Sequence, residues 1–156
     1  MMNDLRDLVL EDAIIARLTA SSRRQALQIL AEHLAKAAGL DPRAVFEAVL
    51  LRERLSGTGV GEGVAIPHAR VTGVERPICG FARLDPPQDF EALDGRPADL
   101  VFMLLAPPDR GGDHLKALAR VTRHLRRGEV RDKLRGARGP GDLRTQLLGD
   151  LHSDAA

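Results

Sequence analysis

His68, in the run Val64-Ala65-Ile66-Pro67-His68-Ala69-Arg70, is the residue of this sequence best placed for nucleophilic chemistry. The Pro67 ring fixes its own φ and restricts Ile66, so the chain leaves a short apolar strand in a defined direction and holds the imidazole with little freedom. Strand ends in α/β domains are where ligands and chemistry collect. An imidazole of ordinary pKa, ~6.5, is about three-quarters unprotonated at pH 7 and can act as a nucleophile. Standing alone, His68 would read as an ordinary loop histidine. A second imidazole, His114 in Gly111-Gly112-Asp113-His114, falls just inside an expected helix start with Asp113 as cap. Unpaired N–H groups and the positive end of the helix dipole favour an anion there and disfavour an imidazolium. Packing or capping is the plainer account of His114. Arg52 supplies a permanently charged planar fork that matches phosphate oxygens, although an exposed helix-end arginine is commoner. Together the three would accept a phosphoryl group and shield its charge. Spacing alone does not bring them together.

Between Arg52 and His68 lies Gly57-Thr58-Gly59-Val60-Gly61-Glu62-Gly63, with glycine at every second position. Such a run supports either a backbone constraint, through positive φ or a close approach, or a flexible turn before a strand. It is neither of two nucleotide motifs: no Gly-Lys-Ser/Thr closes a P-loop, and Glu62 and Val64 break G-x-G-x-x-G. Five histidines, one cysteine and no H-E-x-x-H spacing make a zinc site an unsuitable reading, so neither metal nor cofactor is expected. His33, His124 and His152 fall on expected helical or terminal surface and carry no assignment.

The elements that must hold these residues alternate in type. Residues 22–38 place Leu27, Leu30, Leu34 and Ala38 on one helical face, with Ser22 as N-cap, Gln25 completing a capping box and Gly39 closing the helix. Asp41 as cap and Pro42 at the first position announce a second helix carrying Val45, Val49 and Arg52, so Arg52 lies near its C-terminus. Val64 to Ile66, Ile78 to Leu84 and Leu100 to Leu105 read as strands, the last apolar on both faces and therefore central. Residues 113–127 return to helical spacing through Leu115, Leu118, Thr122 and Leu125, and shorter helices are expected at 129–136 and 141–149. The expected architecture is a single-domain α/β three-layer sandwich over 1–156, ordered over roughly 5–150, with a sheet flanked by helices.

Composition agrees with one aliphatic core: the chain has 156 residues, 44% hydrophobic, with four phenylalanines and neither tryptophan nor tyrosine. The lone Cys79 excludes an intrachain disulfide framework. A charged N-terminus without an apolar stretch, and no long apolar run, point to a cytoplasmic protein without a membrane span. The formal net charge of +1 excludes the strong basic field of a typical nucleic-acid binder. Residues 110–144 nevertheless hold eleven basic and four acidic side chains, +7 against −6 for the remainder. That segment is either a solvated helical face or a surface for an acidic partner.

Arg52-Glu53-Arg54, Ser56-Gly57-Thr58-Gly59 and Gly63-Val64-Ala65-Ile66-Pro67-His68 resemble the phosphorylation segment of the fructose/mannitol/nitrogen class of phosphotransferase-system IIA proteins (EIIA type 2), most closely the nitrogen-regulatory type, EIIA-Ntr. Pro97-Ala98-Asp99-Leu100-Val101-Phe102 and His114-Leu115 support the resemblance, which covers nearly the whole chain. It implies a mixed sheet between helices. It also implies that His68 takes a phosphoryl group on Nε2 from the phosphohistidine of an HPr-like carrier, with Arg52 and His114 around that group and no metal or nucleotide. Glu62 departs from the pattern by placing a carboxylate where relatives often carry a neutral residue. The resemblance implies a regulatory phosphohistidine carrier, a phosphotransferase component docking its carrier around the glycine-rich loop and the 113 helix, with the basic 110–127 segment at the rim. The alternatives are a sugar-specific IIA component that passes the phosphoryl group to a separate IIB protein, and a non-catalytic binding module on the same fold.

Overall fold

The computed structural model describes residues 5–109 and 111–149. The elements are β1 (Val9–Leu18), α1 (Arg23–Ala38), α2 (Pro42–Leu55), β2 (Gly59–Gly61), β3 (Val64–Ala65), β4 (His68–Arg70), β5 (Ile78–Gln88), β6 (Ala98–Ala106), α3 (Gly111–Leu125), α4 (Gly128–Gly136) and α5 (Pro140–Leu148). The sheet runs β1-β5-β6-β3-β2, with β4 also on β6. It is mixed: β5 is antiparallel to β6, while β1 on β5 and both β3 and β4 on β6 are parallel. No helix among the described residues is long and apolar enough to cross a membrane.

β6 organises the domain because its residues are apolar on both faces, which only a strand covered on both sides tolerates. Val101, Met103 and Leu105 point into one core with Leu27, Leu30 and Leu34 of α1 and Val45 and Val49 of α2. Leu100, Phe102 and Leu104 point into the other with Val121, Leu134, Leu143 and Leu147 of the last three helices. The result is the expected three-layer α/β sandwich. Phe102 and Phe81 meet across β5 and β6 with ring centroids 4.7 Å apart, supplying aromatic area in an otherwise aliphatic core.

β3 and β4 occupy consecutive stretches of the same edge of β6, Val64 opposite Leu100 and His68 opposite Leu104. Ile66-Pro67 interrupts what would otherwise be one strand. Proline has no N–H for the ladder, yet its carbonyl still accepts from Leu104 N–H at 2.8 Å, so the chain stays in register across the break. His68 is thereby held in a short strand against the central β6 rather than at the tip of a loop.

Several local expectations shift. Ser22 caps α1 by accepting from Gln25 N–H, but the Gln25 side chain reaches back to Ser21 N–H rather than to Ser22. Gly39 closes α1 at φ 71° as expected. α3 begins at Gly111, so Asp113 sits in its first turn and is not its cap. The buried stripe of α3 is His114, Ala117, Val121 and Leu125, about one residue rotated from the expected stripe, and Leu115 is exposed. Smaller side chains let α3 lie close to the sheet, and His114 joins the stripe that faces it. β1 has no counterpart among the expected elements. Its pairing with β5 slips between Val9 and Ile14 and again between Ile15 and Leu18, which removes the two-residue alternation by which a strand is recognised.

Phe102 is fully buried at the centre of the sheet. Phe102→Ala is expected to cost about 3–5 kcal/mol in denaturant unfolding, since the site cannot collapse around the lost ring. A loss below about 1 kcal/mol would contradict the placement of this core.

Candidate active site

His68, His114 and Arg52, dispersed in sequence, meet at one cleft of about 470 Å³. Its walls are Ala48, Leu51, Arg52 and Leu55 from the last turns of α2, His68, Ala69 and Arg70 from β4, and His114 from α3. The two imidazole rings stand edge to face, centroids 5.2 Å apart at 82°. Arg52 is anchored by donating from Nη1 to the Ser56 carbonyl at 2.8 Å, across the C-terminal end of α2. Cation and helix end suit each other there, because the last carbonyls are unpaired and the dipole is negative.

The half-buried His68 ring has one protein partner, the Ile66 carbonyl, 2.7 Å from Nδ1. A carbonyl only accepts, so Nδ1 carries the proton. In the neutral ring Nε2 then holds the lone pair. Burial lowers the pKa of His68; the bond to Ile66 opposes that shift and the charge of Arg52 adds to it. Burial likewise lowers His114, reinforced by His68, Arg70 and Arg52. Both shifts favour the neutral imidazole over the protonated one. His114 Nδ1 is buried and makes no hydrogen bond.

Arg70 is the residue of this cleft that sequence reasoning missed. The signal was its position two residues beyond His68, which in a strand puts both on one face. The segment after Pro67 read as the end of a strand, so that alternation was not applied. Arg70 is exposed and near enough to His114 to depress its pKa. Leu51 and Leu55 add large exposed apolar side chains to the cleft wall, and Leu115, next to His114 in sequence, is also exposed.

Glu62 does not oppose this charge. Its backbone is left-handed, φ 57°, between Gly61 and Gly63, and its N–H donates to Asp94 Oδ2 at 2.9 Å. The carboxylate lies 3.8 Å from both Arg96 and Arg131, on a different cleft. The glycine-rich run is a constraint rather than a loose turn. A Cβ on Gly57 would collide with the Phe90 carbonyl and with Glu91 Cβ, and Gly63, at φ 77°, lies against Arg135 and Asp99. Part of the basic segment is paired within the protein: Arg120 with Asp7, Arg127 with Glu129, Arg131 with Glu62, Arg135 with Asp99 and Arg144 with Glu11. Lys116 and Arg120 line another cleft together with Asp7, Arg76 and Asp113. Among the described residues, the cations that line the His68 cleft are Arg52 and Arg70. His33 is exposed and contacts the Ile29 carbonyl through Nδ1, His124 is half-buried, and His152 lies outside the described residues.

The fold and the comparisons with known proteins define the class. Residues 7–148 match the family model described as "Phosphoenolpyruvate-dependent sugar phosphotransferase system, EIIA 2", and the chain belongs to that family. It is 52% identical over 134 residues to the nitrogen regulatory protein of Bradyrhizobium diazoefficiens, covering 86% of this chain and 88% of that one. The crystal structure of nitrogen regulatory protein IIA-Ntr from Neisseria meningitidis superposes with a TM-score of 0.82 at 30% identity, over 90% of this chain and 97% of that one. A fructose-specific EIIA component from Haloferax volcanii is 40% identical over 115 residues, 73% of this chain and 75% of that protein.

With folded-state values depressed by burial, His68 and His114 should titrate below pH 6.5, as followed by the NMR shifts of their ring protons. The unfolded chain then binds more protons below pH 6.5, so these residues make stability fall as the pH drops through that value. A midpoint at or above 6.5 for His68 would contradict the described environment.

Proposed function

We propose that this protein is a phosphohistidine carrier of the regulatory, nitrogen type, and that His68 Nε2 accepts the phosphoryl group from the phosphohistidine of an HPr-like carrier protein. The observation that carries the reading is the orientation of His68: Nδ1–H is held by the Ile66 carbonyl, while the ring lies in a cleft lined by Arg52, Arg70 and His114 and, among the described residues, by no carboxylate. The donor phosphoramidate is already energised, so the acceptor needs alignment and charge compensation more than acid–base machinery. The Nε2 lone pair forms the new P–N bond as the carrier's P–N bond breaks, and the carrier nitrogen keeps that electron pair. The Nδ1 proton stays on the ring. His68 thereby gains positive charge, which strengthens its bond to the Ile66 carbonyl. Arg52 neutralises equatorial oxygens in this reading, supported by Arg70 and His114, which line the same cleft.

Leu51 and Leu55, exposed on the cleft wall, form an apolar rim that a carrier covers as it brings its histidine in line. Similarity to a fructose-specific EIIA component favours one second reading, in which the phosphoryl group passes to a separate IIB protein. Efficient transfer from the phosphorylated protein to a IIB partner would select that reading over the regulatory one.

Incubation with enzyme I, phosphoenolpyruvate and an HPr-type carrier is expected to add one phosphoryl group, seen as intact mass under alkaline conditions. His68→Ala should add none; labelling at the wild-type level would remove His68 from the role. Arg52→Ala should slow acceptance by about 100-fold, the scale for losing a preorganised charge partner. His114→Ala and Arg70→Ala should each slow it by about tenfold, because a supporting group is lost and the nucleophile is not. Unchanged kinetics in either variant would take that residue out of the site.

A further inference from the structure

Glu53 is a buried carboxylate that the chemistry above leaves unused. Val45, Val49 and Glu53 fall at four-residue intervals on the face of α2 that meets the sheet, and Glu53 is only 3% exposed. Its Oε1 accepts from Thr58 Oγ1 at 2.6 Å and its Oε2 from Thr58 N–H at 3.0 Å. Thr58 is itself buried, and its carbonyl accepts from Ile66 N–H at 3.0 Å. The Ile66 carbonyl then holds His68 Nδ1 at 2.7 Å. Three successive links, the first a pair of hydrogen bonds, thus connect a core carboxylate to the ring nitrogen that decides the tautomer of His68.

We propose that Glu53 is a positioning residue for His68: by holding both donors of Thr58 it fixes the Ile66 peptide, and with it the aim and tautomer of the imidazole. The proposal rests on the reading of His68 as the phosphoryl acceptor. The same segment orients the charge partner, because Arg52 precedes Glu53 and is anchored on Ser56, two residues before Thr58. Arg23 is 3.5 Å from Glu53 Oε2 and also pairs with Glu91, so the carboxylate has one peripheral cation rather than a dedicated counter-ion. Burial raises the pKa of Glu53, opposed by the two Thr58 bonds and by the charges of Arg23 and Arg52. A leucine at 53 would suit the surrounding core but would strand a buried N–H and a buried hydroxyl of Thr58. Glutamate satisfies both, at the point where the glycine-rich turn must be held against β3.

The test compares Glu53→Ala, Glu53→Gln and Thr58→Val with wild type. Its readouts are far-UV circular dichroism, the ¹⁵N shifts of the His68 ring in the unphosphorylated protein, and the rate of acceptance from an HPr-type carrier. Wild type should show the Nδ1–H tautomer. Folded Glu53→Ala should show a tautomer mixture and accept at least about tenfold more slowly, as a displaced reacting group does. Glu53→Gln, whose amide can still accept from Thr58 N–H and donate to its hydroxyl, should recover most of both properties. Thr58→Val removes only the hydroxyl bond and should fall between; it decides the matter if Glu53→Ala does not fold. Native ring shifts and a native rate in a folded Glu53→Ala, or in Thr58→Val where the alanine variant is unfolded, would overturn the proposal. If wild-type His68 takes no phosphoryl group, the functional reading fails, while the ring shifts still decide whether Glu53 positions the imidazole.

Discussion

A single hydrogen bond, from His68 Nδ1–H to the Ile66 carbonyl, determines which nitrogen the protein offers to solvent and to a partner. Its existence depends on Pro67. Without an N–H at that position the β3–β4 edge cannot continue as a regular strand. The break lets the Ile66 carbonyl meet a side chain two residues on, while the Pro67 carbonyl still receives Leu104 N–H. The ladder on β6 on either side of the break keeps the ring from drifting. A surface histidine would sample both tautomers and several rotamers; here backbone geometry selects one before any partner arrives.

The electrostatics of the cleft follow from where carboxylates have been put. Glu62, close in sequence to His68, is turned outward by a left-handed backbone and pairs with Arg96 and Arg131. Asp113, one residue from His114, faces the cleft that holds Asp7 and Arg120. Glu53 lies behind the glycine-rich turn with its oxygens on Thr58. Among the described residues, the polar side chains that line the opening are two arginines and two imidazoles whose protonated forms burial disfavours. The cleft therefore presents cationic charge beside a ring-nitrogen lone pair.

Much of this was legible in the sequence, for identifiable reasons. Ser22, Gly39, Asp41 and Pro42 mark helix ends through local backbone chemistry, and local rules suffice to read them. LVFMLL announces a central strand because nothing else tolerates apolar residues on both faces. His68 was legible through Pro67 and the glycines, and Arg52 and His114 through the resemblance that also implies the mixed sheet. The bulged β1 was not, because its alternation is broken by pairing with a strand more than sixty residues away. Arg70 escaped because strand periodicity was not carried past the proline. The stripe of α3 was displaced because leucine was weighted above alanine and valine, whereas the sheet admits the smaller side chains. Glu53 stood in plain view at the four-residue spacing of Val45 and Val49, and a carboxylate on an apolar stripe is the kind of local inconsistency that marks a site.

That inconsistency carries a thermodynamic consequence. Burial disfavours the ionised form of Glu53 and the protonated forms of His68 and His114, so each of these groups makes the folded state less favourable over part of the pH range than a matched apolar residue would. The glycine-rich turn adds a left-handed glutamate that a looser loop would avoid. Two aliphatic layers on either side of β6 offset these terms. The polar groups of the site and the left-handed Glu62 gather around β3, β4, the end of α2 and the first turn of α3. A domain of this size can hold a preorganised imidazole only by separating the part that stabilises it from the part that must remain ready to react.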